Sequence, residues 1–264
     1  MKWPGRPRPR AAGSRAGRAS RPDRLNRPNR GAGLRRLAGL AGRILLLALV
    51  AALAAQLWFL SHIVWWKWFD PGSTSFMRER LEQMREQDPG ARLRHQWVPY
   101  QRISPSLRRA VIAAEDARFT EHEGVDWEAI EKAYEDNLRK GKVVRGGSTI
   151  TMQLAKNLFL SGERSYLRKG QEVVITYMLE SVLGKRRILE IYLNVAEWGN
   201  GVFGAEAAAR HYYGISASQL GIEQSATLAA MLPRPRFYDR NRASAYLQRR
   251  AAAVQRWMGD VTPP

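Results

Sequence analysis

From Ile44 to Trp66 the chain reads ILLLALVAALAAQLWFLSHIVWW, broken only by Gln56, Ser61 and His62. About 20 such residues cross the hydrocarbon core of a bilayer as a helix, the one single-segment form that satisfies its own backbone in lipid. The stretch is therefore expected to be a single transmembrane helix over residues 44–66. Arg35, Arg36 and Arg43 precede it, and Trp58, Trp65, Trp66 and Trp68 crowd its far end. Basic residues mark the cytoplasmic side and tryptophans the interface, so the N-terminus is expected inside. Everything from about residue 75 onward then lies outside the cytoplasm. A cleaved signal peptide is the alternative, since Ala52-Leu53-Ala54 resembles a small-x-small cleavage site; the apolar run past that site favours the anchor.

Of the formal charge of +19, much sits before this helix: residues 1–43 hold Lys2 and twelve arginines against Asp23 alone. Residues 1–33 are rich in Arg, Pro, Gly and Ala and have scarcely any large apolar side chain, so they cannot offset the entropy of ordering. Residues 1–43 are read as a disordered basic tail. Such a tail suits nucleic acid, but it runs straight into the apolar segment, which makes it a cytoplasmic flank and leaves no nucleic-acid partner expected. With no cysteine, a disulfide framework and a thiolate metal site are both excluded. The histidines at 62, 95, 122 and 211 show no metal-ligand spacing.

Residues 67–94 read as a juxtamembrane linker, with a turn at Asp70-Pro71-Gly72-Ser73 and a short charged helix from Phe76 to Gln87. Gln96–Tyr100 is the only clear strand-like stretch. Beyond Ser104 the punctuation is helical: Ser104-Pro105 opens a helix toward Phe119, and Asp126 caps another through Leu138. Further helices are expected over 149–158, 165–183, 185–196, 205–213, 218–232 and 242–258. No repeat and no strand–helix alternation is present. The fold class is mostly α, with one domain over residues 95–258 after the membrane helix.

Leu107, Val111 and Glu115 recur every four residues and share a helix face. A carboxylate on an apolar face, at the negative end of a helix dipole, is tuned toward general-base work; an exposed helix end is the other reading of a single Glu. Arg145-Gly146-Gly147-Ser148-Thr149 sets glycines and hydroxyls before a helix, which fits an anion site and a plain N-cap equally. Gln153 and Lys156 then fall on one face. Arg164, Arg168 and Glu172 recur every four residues beside Lys169. That row suits a leaving pyrophosphate, and equally a solvated face with ion pairs. In Lys185–Asn194, residues Ile188, Ile191 and Tyr192 read as a core-facing set.

Taken together these segments resemble the family 51 glycosyltransferases, the peptidoglycan polymerases. The resemblance rests on Glu115-Asp116-x-x-Phe119-x-x-His122-x-Gly124, Gly147-Ser148-Thr149-Ile150-Thr151-x-Gln153, Arg168-Lys169-x-x-Glu172 with Leu179-Glu180, and Lys185-x-x-Ile188-Leu189-Glu190-x-Tyr192-Leu193-Asn194. It implies a lysozyme-like glycosyltransferase domain that joins lipid II into β-1,4-linked glycan strands, with inversion at C1 and release of lipid pyrophosphate. It implies catalytic roles for Glu115, the general base, and Glu172. Substrate binding falls to Arg118, Ser148, Thr149, Gln153, Lys156, Arg164, Arg168 and Lys169. Met152 departs from the pattern, standing where many members have a first Gln. No cofactor is required by these residues; the resemblance allows a divalent cation, Mg or Mn, at the pyrophosphate. Implied partners are lipid II, the growing lipid-linked glycan, the membrane and other cell-wall synthesis or division proteins. The implied location is the bacterial cytoplasmic (inner) membrane, single-pass, with the catalytic domain periplasmic. Ser-x-x-Lys and Lys-Thr-Gly, the marks of a penicillin-binding transpeptidase, are absent, which points to the monofunctional members.

Two other readings compete. A lytic muramidase also needs a glutamate, but as an acid of raised pKa, with no need for a row of cations. A membrane-tethered scaffold accounts for residues 1–43 and for nothing after Glu115.

Overall fold

Ser104, Asp126, Thr149 and Ser165 each stand in non-helical backbone, and each side-chain oxygen accepts an N–H from the first turn that follows. Helix starts leave such N–H groups without partners, so these four residues fix where four helices begin. The computed structural model describes Met1 and residues 30–141, 146–160 and 165–264. The expected disordered tail falls mostly outside the described residues, as do Arg145 and Arg164. The chain is mostly helical, at 68%.

It divides into two units, Met1–Ala52 and Leu53–Pro264. Helix α1 (Arg30–Trp65) contributes to both. Its segment Leu37–Trp65 contains an 18-residue stretch of mean hydropathy 2.3 and is long and apolar enough to cross a membrane. Every described side chain of the first unit from Leu37 onward is exposed.

The second unit contains the end of α1 and all later elements. Helix α2 (Ser75–Arg85) falls in the expected linker, yet Met77 and its N-cap Thr74 are buried, so this stretch belongs to the fold. Then follow α3 (Pro105–Glu115), α4 (Trp127–Lys140), α5 (Ile150–Phe159), α6 (Tyr166–Val182) and α7 (Lys185–Val195). After them come α8 (Ala205–Tyr213), α9 (Ile222–Met231), α10 (Pro235–Arg240) and α11 (Ala245–Trp257). Helices α3, α9 and α11 pack as one group; α5 packs with α2, α6 and α7 as another. Trp198, Tyr192, Phe119 and Phe203 are the largest fully buried side chains. Ile188, Ile191 and Tyr192 face the core as expected.

Several boundaries differ from the sequence reading. Helix α3 stops at Glu115 because Asp116 leaves helical geometry and spends its carboxylate elsewhere. Gly221 splits the expected 218–232 helix into a 3-10 turn at Ala217–Gln219 and α9. Helix α10, opened by Pro235 in its first turn, was not expected. The strand prediction at 96–100 shifts to β1 (Arg94–His95), with Tyr100–Arg102 forming a 3-10 turn. Strands β2 (Glu197–Gly199) and β3 (Val202–Phe203) complete a small sheet of order β1-β3-β2, with β1 parallel and β2 antiparallel to β3. Asn200-Gly201 between them is a hairpin dipeptide, the signal that announces this pair.

Asn194 substitutes for a strand partner: its side chain accepts the Val98 N–H at 2.9 Å and donates to the Val98 carbonyl at 3.0 Å. Arg187 ties α7 to the end of α1, donating to the Trp66 carbonyl at 2.9 Å, the Phe69 carbonyl at 2.8 Å and Asp70 at 2.8 Å. Gln56 and Gln171 add a reciprocal amide pair, 3.0 Å in each direction, between α1 and α6.

Candidate active site

Asp116 joins the first two motifs. One of its oxygens accepts the Ile150 N–H at the start of α5, at 3.0 Å, and the other accepts from His122 Nε2 at 2.9 Å. His122 Nδ1 accepts the Gly124 N–H at 3.1 Å, which leaves Nε2 to carry the proton. Thr149 donates its hydroxyl to the Gly124 carbonyl and caps α5 by accepting the Met152 N–H. Gly124 has φ +89°, and a Cβ there would lie 2.7 Å from Thr176 Cγ2, so only glycine fits. These contacts set the C-terminal end of α3 against the N-terminal end of α5.

Glu115 sits at that junction, with its side chain 10% exposed. Gln153 Nε2 donates to its Oε2 at 2.9 Å, and Gln153 Oε1 in turn accepts from the Tyr192 hydroxyl at 3.0 Å. Arg250 of α11 approaches Oε1 to 3.5 Å, an ion pair without a hydrogen bond, and Oε1 is buried with no hydrogen-bond partner. Burial pushes the Glu115 pKa up; Gln153 and then Arg250 partly oppose it, while Asp116 adds to the rise. A carboxylate with one oxygen clamped and the other unsatisfied is suited to accept a proton.

Helices α5 and α6 supply the cations. Glu172 is 3% exposed and holds Arg168 at 2.8 Å on one oxygen and Lys169 on the other. Lys169 also donates to Ser148 Oγ at 3.1 Å. Lys156 is half-buried and has no carboxylate within ion-pair distance among the described residues. Burial lowers its pKa, with Glu172 and Glu115 pulling the other way, so it lies in the field of both carboxylates. Lys156, Arg168 and Lys169 together exceed Glu172 by two positive charges.

The structure thus brings together Glu115 with Gln153 and Lys156, and Ser148 with Arg168, Lys169 and Glu172. It treats three expected residues differently. Thr149 is buried and its hydroxyl is committed to capping, so it offers no free donor. Gln153 spends both ends of its amide inside the protein. Arg118 is engaged with Asp126 and Glu128, which push its pKa up, and it is not directed at the other cations. Arg164 lies outside the described residues. Arg250 and Tyr192 were not expected as site residues. Tyr192 carried a core signal and a place in the fourth motif but no assigned role, and Arg250 lies on a helix without a motif.

Both Glu172 oxygens are taken by cations, and no three His, Cys, Asp or Glu side chains converge among the described residues.

Residues 80–259 match the family model described as Transglycosylase. A protein of Janthinobacterium sp. (strain Marseille), named biosynthetic peptidoglycan transglycosylase, is 61% identical over 221 residues, covering 84% of this chain and 96% of its own length. Proteins of the same name from Herminiimonas arsenicoxydans and Bordetella pertussis are 62% and 59% identical, each over 84% of this chain and over 96% and 93% of their own lengths. With the motif residues converging on one buried carboxylate beside a cluster of cations, and with most of its length matched, the chain belongs to the transglycosylase family and is a glycosyltransferase.

Proposed function

We propose that this enzyme polymerises lipid II into β-1,4-linked glycan strands by a single inverting displacement. The observation that carries the reading is Glu115: a buried carboxylate with Oε2 held by Gln153 and Oε1 unsatisfied, next to a surplus of positive charge. Glu115 Oε1 takes the proton of the acceptor's 4-hydroxyl. The freed oxygen pair attacks C1 of the donor's muramyl unit, the C1–O bond to pyrophosphate breaks, and its electron pair leaves on the phosphate oxygen. Attack from the face opposite an α-linked phosphate gives the β bond.

Lys156, Arg168 and Lys169, with Ser148 beside them, hold the departing pyrophosphate; cations already in place stabilise charge where it develops. Glu172 takes the role of organiser, fixing Arg168 and Lys169 so that they need no reorientation during the reaction. Arg250 stabilises the ionised form of Glu115 at rest. Pyrophosphate leaves without strong acid help, so the cations favour a polymerase over a muramidase. The absence of Ser-x-x-Lys and Lys-Thr-Gly supports a reaction without peptide cross-linking.

The apolar helix and the arginines before it support a single-pass protein of the bacterial inner membrane, N-terminus inside and catalytic domain periplasmic. The test is lipid II polymerisation by Glu115→Gln, with glycan products resolved by size. Loss of transfer in a folded variant supports the reading, and wild-type product formation overturns it.

A further inference from the structure

We infer that Tyr192 is a positioning residue for the proton acceptor: its hydroxyl fixes the Gln153 amide so that the NH2 end, not the carbonyl end, faces Glu115. This rests on the reading of Glu115 as the base. A glutamine amide is nearly symmetric in shape, and its two ends exchange by a half-turn about the last side-chain bond. Steric packing alone selects neither end. What selects is the hydrogen bonding at both ends, and here the ends face different partners: the Tyr192 hydroxyl at 3.0 Å from Oε1 and Glu115 Oε2 at 2.9 Å from Nε2.

Tyr192 is 1% exposed on α7. Burial, then the charges of Glu115 and Asp116, push its pKa well above the usual phenol value, so it remains a donor throughout the working pH range. Its only hydrogen-bond acceptor among the described residues is Gln153 Oε1. Turning the amide over would leave the Tyr192 O–H without an acceptor in a buried site and would set a carbonyl oxygen against an ionised carboxylate. Both consequences are unfavourable. The flipped amide suits only a protonated Glu115, whose O–H could then donate to the carbonyl. Tyr192 therefore biases the pair toward ionised Glu115, the form that accepts a proton.

The other groups facing Glu115 are Lys156 from α5, Arg250 from α11 and the adjacent Asp116. Among the described residues none of them hydrogen-bonds the Gln153 amide, so none replaces the hydroxyl in setting its direction. Removing the hydroxyl frees the amide, and the titration of Glu115 should move to higher pH while the base itself stays in place.

The test uses the full chain in detergent or vesicles, as wild type, Tyr192→Phe and Glu115→Gln, with lipid II as substrate. Two readouts are taken: the pH profile of kcat/KM, and a carboxyl titration by NMR on protein labelled with 13C-carboxyl glutamate, where Glu115→Gln identifies the resonance by its loss. In Tyr192→Phe the Glu115 titration and the acid limb of kcat/KM should both move up by about half a pH unit or more, roughly a threefold loss on the acid side. Activity on the alkaline plateau should stay within about twofold. An unmoved titration, or an activity loss equal at every pH, overturns the proposal. Wild-type turnover by Glu115→Gln overturns the base assignment instead, and the carboxyl titration still decides the amide's orientation. Should Tyr192→Phe fail to fold, 3-fluorotyrosine at position 192 keeps the shape and strengthens the donor. It should move the titration downward, and no movement counts against the proposal.

Discussion

Burial is the largest influence on Glu115, and it works against the charge that the reaction needs. Its folded pKa lies above the unfolded value, so the folded chain binds the extra proton between the two values. Stability attached to this group is therefore full below the unfolded pKa and is lost as pH rises through the folded one. Glu115→Gln removes that cost while keeping the shape, so transfer should fall by about two to four orders of magnitude, the usual contribution of a positioned base. The thermal midpoint at neutral pH should be unchanged or higher, and unfolding and lipid II turnover measured on one preparation check both. Lys156→Met should instead raise KM for lipid II by about tenfold or more, the value of a charge-assisted contact, with far-UV circular dichroism unchanged. An unaltered KM would remove Lys156 from the donor site. Spacing placed Glu115 on a face with Leu107 and Val111, and Glu172 on a face with Arg168, but the roles expected of Glu115, Lys156, Arg168, Lys169 and Glu172 came from the resemblance, because spacing alone reads equally as a solvated face or a cap. Arg250 was not legible in sequence, since it reaches Glu115 from a helix distant in the chain, and periodicity says nothing about which helices meet.

Helix starts were legible for a local reason: Ser104, Asp126, Thr149 and Ser165 carry their capping chemistry with them. Thr149 shows the cost of that locality. A hydroxyl before a helix reads equally as a ligand donor and as a cap, and only the nearby Gly124 carbonyl decides between them. The end of α3 was misplaced because Asp116 is drawn out of the helix by Ile150, a partner 34 positions away. The elements that meet here also leave little room. Gly124→Ala adds a methyl 2.7 Å from Thr176 Cγ2 and 2.8 Å from Glu180 Cγ at a φ of +89°. Overpacking and a left-handed backbone together should lower stability by about 2 kcal/mol or more, read as a shift in denaturation midpoint. Activity per folded molecule should fall with it, since Gly124 lies on the path that sets α3 against α5. A midpoint within experimental error of wild type would show that this junction yields easily.

At the scale of the molecule, the mostly helical class and the membrane-length helix were readable from periodicity and hydropathy, because both are properties of composition along one segment. That α2, within residues 67–94, packs into the fold was not readable, since the sequence there is charged and its burial rests on three residues, Pro71, Thr74 and Met77. The bonds from Arg187 to the end of α1, with the Gln56–Gln171 pair one side of it, have a consequence for how the enzyme can be altered. They fix the azimuth of Leu53–Trp65 about its own axis, so this stretch is indexed to the catalytic helices in place of hanging from them as a tether. One alanine inserted between Gln56 and Trp66 turns one grip by about 100° relative to the other and lengthens the stretch by about 1.5 Å, so both cannot hold at once. Such an insertion should lower the thermal midpoint by about 4 °C or more, whereas one placed ahead of Leu53 should leave it unchanged. Equal midpoints for the two would mean that the helix turns freely, and that its angular phase is not part of the design.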